Sequence, residues 1–169
     1  MLSQVTGPAI RYHGGKYRLA QWVIEHFPPH RFYVEPFGGA AGVLLQKARA
    51  HGEVYNDLDG EMTNFFRVLR DQEARERLIE ACIFTPYARA EFELAWEPAE
   101  CPVERARRLV IRAQMGFGSG GATKNTTGFR IDCFREYSTA QQLWARFPDN
   151  LRAVGERMVG VLIEERDAI

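Results

Sequence analysis

The sequence predicts an α/β fold in which a small sheet domain is interrupted by an inserted helical subdomain. Three observations carry this: strand-like apolar runs at both ends of the chain, helical spacing through the middle, and a glycine turn between two acids near the start. The 169 residues are 46% hydrophobic and 12% aromatic, enough apolar material for a buried core of about one domain.

The elements follow in chain order. Over residues 16–27, Leu19, Trp22, Val23 and Phe27 fall on one stripe and predict an amphipathic helix, which Pro28 and Pro29 stop. Residues 32–35 read as a short buried strand, 39–50 as a helix and 53–57 as a second strand, a β-turn-α-β unit. From Gly60 to Gln114 the apolar positions keep helical spacing. Residues 115–134 hold five glycines in their first fourteen positions and then alternate, which predicts a loop leading into a strand or hairpin. A further helix is expected over 139–157, interrupted near Pro148, and residues 158–163 return to a buried-strand pattern. Residues 1–59 and 156–169 are thus assigned to the α/β domain and 60–155 to the insertion.

Composition narrows the function. No apolar run approaches the roughly 18 residues of a membrane span, and residues 1–16 lack a signal-peptide pattern, so a cytoplasmic protein without a membrane is expected. Cys82, Cys101 and Cys133 are far apart, with neither disulfide nor metal-ligand spacing. Twenty-two basic and 22 acidic side chains give no global attraction to phosphate, so any nucleic-acid contact needs a local patch.

The glycine turn narrows it further. In open α/β sheets ligands sit at the carboxyl ends of strands, where a glycine turn admits close backbone approach and an acid on the next strand accepts ribose hydroxyls. Asp57 follows Gly39 by 18 residues, near the roughly 20 of that arrangement. Gly38, Gly39 and Gly42 do not fit G-x-G-x-x-G, and Gly15-Lys16 is followed by Tyr17, which breaks the P-loop pattern. A pyrophosphate is therefore disfavoured, and with it a dinucleotide oxidoreductase. Glu35 beside the turn repels polyphosphate but pairs with an ammonium group. A ligand with both a ribose and an amino-acid ammonium, S-adenosylmethionine, satisfies both acids.

The order Tyr12-His13-Gly14-Gly15-Lys16, Val34-Glu35-Pro36-Phe37-Gly38-Gly39-Ala40, Tyr55-Asn56-Asp57-Leu58 resembles the Dam-type DNA adenine-N6 methyltransferases, including their shorter phage and prophage members. The resemblance implies a Rossmann-like, S-adenosylmethionine-dependent methyltransferase sheet with an inserted helical DNA-recognition subdomain, acting on double-stranded DNA with no metal. It implies that Tyr12 and Lys16 border the methionine end of the donor, that Glu35, Phe37, Gly39 and Ala40 form the turn beneath it, and that Asp57 holds the ribose. Glu165 or Asp167 is placed near the adenine ring. Where the family has its second glycine this chain has Ala41, with Gly42 beside it, and a methyl there is expected to narrow the backbone approach.

The family's catalytic D-P-P-Y tetrapeptide, which holds a flipped target base, has no counterpart in residues 1–169. The expectation is therefore a truncated chain, inactive in methyl transfer by itself, with no catalytic residue to assign. The alternative is a non-catalytic DNA-binding or assembly module. The strand over 32–35 is then expected as an open sheet edge able to self-associate. Arg105, Arg108 and Arg112 share one helix face, and with Lys124 and Arg130 of the following loop they are the candidate DNA contacts.

Overall fold

The computed structural model describes residues 4–123, 126–131 and 138–169. It is a mixed α/β structure: α1 (Ala20–Glu25), β1 (Phe32–Glu35), β2 (Gly52–Asn56), α2 (Gly60–Arg70), α3 (Gln72–Phe84), α4 (Arg89–Leu94), α5 (Pro102–Met115), a 3-10 turn at Gly120–Thr123, α6 (Ala140–Arg146), α7 (Pro148–Met158) and β3 (Leu162–Glu164). The strands form a parallel sheet in the order β1-β2-β3, with Val34 opposite Val54 and Tyr55 opposite Ile163. Helices α2 to α7 lie between β2 and β3 in sequence.

Local chemistry sets the helix boundaries. Asp59 caps α2 by accepting from Glu61 N–H, Asp71 caps α3 by accepting from Ala74 N–H, and Thr139 and Gln142 form a reciprocal capping box on α6. Proline opens α5 and α7 at the first helical positions, where no N–H is needed. Pro148 thereby divides the helix expected over 139–157 into α6 and α7.

Three expectations are corrected. Residues 39–50 form a succession of turns: Leu45 N–H bonds Ala41 C=O and Lys47 N–H bonds Val43 C=O, but the ladder does not continue. The helix expected over 16–27 is the six-residue α1, and Leu19 and Trp22 of its apolar stripe are 56% and 63% exposed rather than in the core. The last strand is confined to Leu162–Glu164, because α7 runs on to Met158. Of the loop and strand or hairpin expected over 115–134, residues 124–125 and 132–134 lie outside the described residues; among the described ones Gly116 and Phe129 form an antiparallel bridge.

One apolar cluster joins sheet and helices. Tyr55 of β2 packs on Phe66 of α2 with ring centroids 4.7 Å apart, and Leu109, Val110 and Ile111 of α5, Leu151 and Val154 of α7 and Ile163 of β3 belong to the same cluster. Beneath the sheet a buried ion network ties β2 to its neighbours. Glu53 accepts from Lys47 at 2.8 Å and from Arg157 at 2.7 and 2.9 Å; burial acts to raise its carboxyl, but Arg157 and Lys47 together hold it down at about 2.

Candidate functional site

The glycine turn after β1 is held by three hydrogen bonds to consecutive residues at the end of β2. Gly39 N–H donates to Asp57 Oδ2 at 2.7 Å, Tyr55 hydroxyl donates to Gly39 C=O at 2.7 Å, and Gly38 N–H donates to Asn56 C=O at 2.8 Å. The turn is thus sewn to the carboxyl end of β2. Gly39 has φ +48°, and a Cβ there would stand 2.7 Å from the Tyr12 ring. Its lack of a side chain is required on both counts. Gly38 and Gly42 are tight as well: a Cβ would overlap the Tyr55 ring at Gly38 and would lie 2.6 Å from the backbone nitrogen of Tyr17 at Gly42. Ala41 between them adopts φ 54° while fully buried. The close backbone approach therefore falls at Gly42, and the methyl of Ala41 turns into the core cluster.

The predicted donor-site residues are partly gathered. Tyr12, Gly39 and Asp57 are in one place, and Tyr12, Lys16 and Ala40 line a cavity of 510 Å³ with Ile10, Arg11, Gly14, Gly15, Tyr17, Arg18 and Ser119. Asp57 accepts one backbone N–H on each oxygen, from Gly39 and from Asp59 at 2.8 Å. Each oxygen keeps a free lone pair for a hydroxyl. Burial raises the Tyr12 phenol, and the Asp57 and Asp59 charges add to it, so the ring stays neutral.

Other candidates point elsewhere. Glu35 accepts from Leu44 N–H at 3.2 Å, beneath the turn, and Val43 N–H also contributes. Burial nevertheless pushes its carboxyl up to about 7. Phe37 is 73% exposed. Glu165 accepts from the Thr63 hydroxyl at 2.6 Å and pairs with Arg67 at 3.3 Å, which lower its carboxyl. Asp167 accepts from Ile169 N–H, while Asn56 bonds the backbone of Arg166 on both sides.

The arginines of α5 do share a face. Arg105, Arg108 and Arg112 line a cavity of 370 Å³ with Glu61 and Trp96. Each is engaged within the molecule: Arg105 with Glu61 at 2.6 Å, Arg108 with Glu104 at 2.8 Å and with the carbonyls of Glu97 and Pro98, Arg112 with the Ala95 carbonyl while its guanidinium sits 5.5 Å from the Trp96 ring centre. Arg130 is buried, and Lys124 lies outside the described residues.

The turn, its acid and the aromatic-glycine-lysine segment all fall inside one family signature. Residues 12–91 match the model of the D12 class N6 adenine-specific DNA methyltransferases. The D12 match thus covers Tyr12, Lys16, the glycine turn and Asp57, and is consistent with a Dam-type methyltransferase-like chain. No curated protein matches the chain. Among the described residues no helix is long and apolar enough to cross a membrane, and no cluster of three or more metal-ligating side chains occurs.

Sequence reasoning missed Tyr55 and Ser119. Tyr55 was legible as the buried-face position two residues before the acid on β2, whereas Ser119 reaches the cavity from a loop with no pattern of its own.

Proposed function

We propose that this chain binds S-adenosylmethionine between Tyr12, Lys16, the Gly39–Ala40 turn and Asp57, and serves N6 methylation of adenine in double-stranded DNA. The observation that carries this reading is the Gly39 to Asp57 hydrogen bond. It closes the turn onto the next strand's acid beneath an aromatic ring, inside the stretch that matches D12 enzymes. The residues fit the donor chemically. Asp57 retains acceptor capacity for ribose hydroxyls, Lys16 carries an ammonium for the methionine carboxylate, and the Tyr12 face suits a cationic sulfonium. Once bound, the donor supplies an activated methyl for an amino nitrogen. The protein's own work is to hold the nucleoside and exclude water from its methionine end.

Glu35, bonded under the turn, acts in this reading by fixing the backbone that faces the donor. Glu165 and Asp167 are kept as adenine-side residues, at the C-terminal end of β3 next to Asn56. Because D-P-P-Y does not occur in residues 1–169, the chain is read as unable to transfer the methyl by itself. The same fact favours the second reading, a DNA-binding or assembly module.

Calorimetric titration with S-adenosylmethionine tests the first reading, with binding expected and its absence counting against it. Methylation of DNA by residues 1–169 alone would overturn the claim of inactivity. Donor-independent DNA binding, weakening with salt, with no donor binding, selects the module. The free edge of β1, where Phe32 and Val34 are 67% and 55% exposed, is the proposed self-association surface. Sedimentation velocity of wild type against Val34→Lys tests it, with loss of a concentration-dependent dimer expected.

A further inference from the structure

On α5 every arginine is engaged inside the molecule: Arg107 with Glu104 at 2.7 Å and Glu91 at 3.1 Å, and the other three as described above. Two cations near the glycine turn differ. Lys16 and Arg18 are exposed, and no carboxylate pairs with either among the described residues. The Lys16 ammonium bonds the Gly14 carbonyl two residues back. Both line the 510 Å³ cavity, together with Arg11 and Ser119. Arg11 donates to the Gly116 carbonyl at 3.4 Å and so holds the start of the glycine loop against the N-terminal segment. Ser119, on that loop, stands 3.5 Å from His13.

We infer that Arg18 and the Ser119 hydroxyl, beside the donor-side Lys16, bind a backbone phosphate of the DNA strand that presents the target adenine. The inference rests on the proposed function and adds which face takes the DNA. Unpaired cations, a hydroxyl and exposed glycine backbone are the groups that hold nucleic-acid phosphates. In a protein of zero net charge the attraction must come from such a local cluster. Arg18 meets a phosphate without first breaking an ion pair, whereas each α5 arginine must surrender one. The cavity also shares Tyr12 and Ala40 with the donor site, so a strand gripped at its mouth brings the adjoining base toward the methyl.

The test uses the whole chain and a short labelled duplex, with anisotropy read between 50 and 200 mM salt. Arg18→Gln is expected to weaken DNA binding about fivefold and to reduce the slope of log affinity against log salt by about 1, as for loss of one phosphate contact. Ser119→Ala weakens binding with the slope kept, and Arg108→Gln leaves the slope unchanged. Calorimetry with S-adenosylhomocysteine is expected to give the same affinity for wild type and Arg18→Gln. An unchanged slope in Arg18→Gln overturns the inference, and so does loss of donor affinity in place of DNA affinity, which would assign the cavity mouth to the donor's carboxylate. Saturation by inorganic phosphate without any duplex binding would also overturn it. Failure of wild type to bind the donor strikes the proposed function instead, and the DNA arm still decides this one.

Discussion

At Gly39 two independent constraints meet, a left-handed backbone and an aromatic ring 2.7 Å from where a Cβ would stand. The first costs an L-residue about 1–2 kcal/mol, and relieving the second means moving Tyr12 off the turn. Gly39→Ala should therefore destabilise the fold by roughly 2 kcal/mol and abolish donor binding, read by urea unfolding and by calorimetry. Asp57 and Gly39 were legible from spacing alone, because strand, turn and strand fix which carboxylate can reach the turn. That Gly42 is crowded as well was not legible, since Tyr17, set by a segment far off in sequence, is what lies 2.6 Å from where its Cβ would stand. Glu35 makes a pH prediction at the same scale. Its folded carboxyl, near 7 against an ordinary 4.5, holds a proton the unfolded chain releases, so its contribution is full below 4.5 and is lost as pH rises toward 7. Glu35→Gln keeps an acceptor for Leu44 N–H and should flatten that decline in urea midpoints measured across the window.

The elements show where periodicity misleads. Residues 39–50 carry a helical pattern, yet Glu35 reaches over from β1 to take the Leu44 N–H, and Lys47 is drawn to Glu53, so the segment closes as turns. Its apolar side chains Val43, Leu44 and Leu45 are buried all the same, which is why the pattern exists. α2 to α5 were legible as helix from the spacing of their apolar residues; capping acids mark the starts of α2 and α3 and a proline that of α5, while α4 follows Ala88 with no side-chain cap. The first two strands were legible because they flank the turn. Glu53 is the prediction that belongs here. Its carboxylate, 3% exposed, joins β2 to the turn segment through Lys47 and to α7 through Arg157. Removing it leaves two buried cations, so Glu53→Gln should cost on the order of 3 kcal/mol in denaturant unfolding. Because its folded carboxyl lies at about 2, below the ordinary 4.5, the stabilisation is present above 4.5 and lost as pH falls toward 2. Acid sensitivity in that range should disappear in the variant, while the Glu35 decline above it remains.

For the whole molecule the consequential fact is that one core serves both sheet and helices. Phe66 of α2 lies against Tyr55, which holds Gly39, and α7 carries both Leu151 in the core and Arg157 on Glu53. The packing therefore couples the helices between residues 60 and 155 to the sheet. Such coupling predicts a single thermal transition. A donor bound at the turn stabilises only the folded state, by about 2.7 kcal/mol at a ligand concentration 100 times its dissociation constant. At roughly 2–4 °C per kcal/mol for a chain of this size, S-adenosylhomocysteine at that concentration should move the whole transition up by about 5–10 °C. Scanning calorimetry checks it. Two transitions, with only the smaller moving on ligand addition, would mean that the helices of residues 60–155 melt as a separate unit, and that the ion pairs and aromatic contacts crossing to the sheet contribute little to holding the site in place.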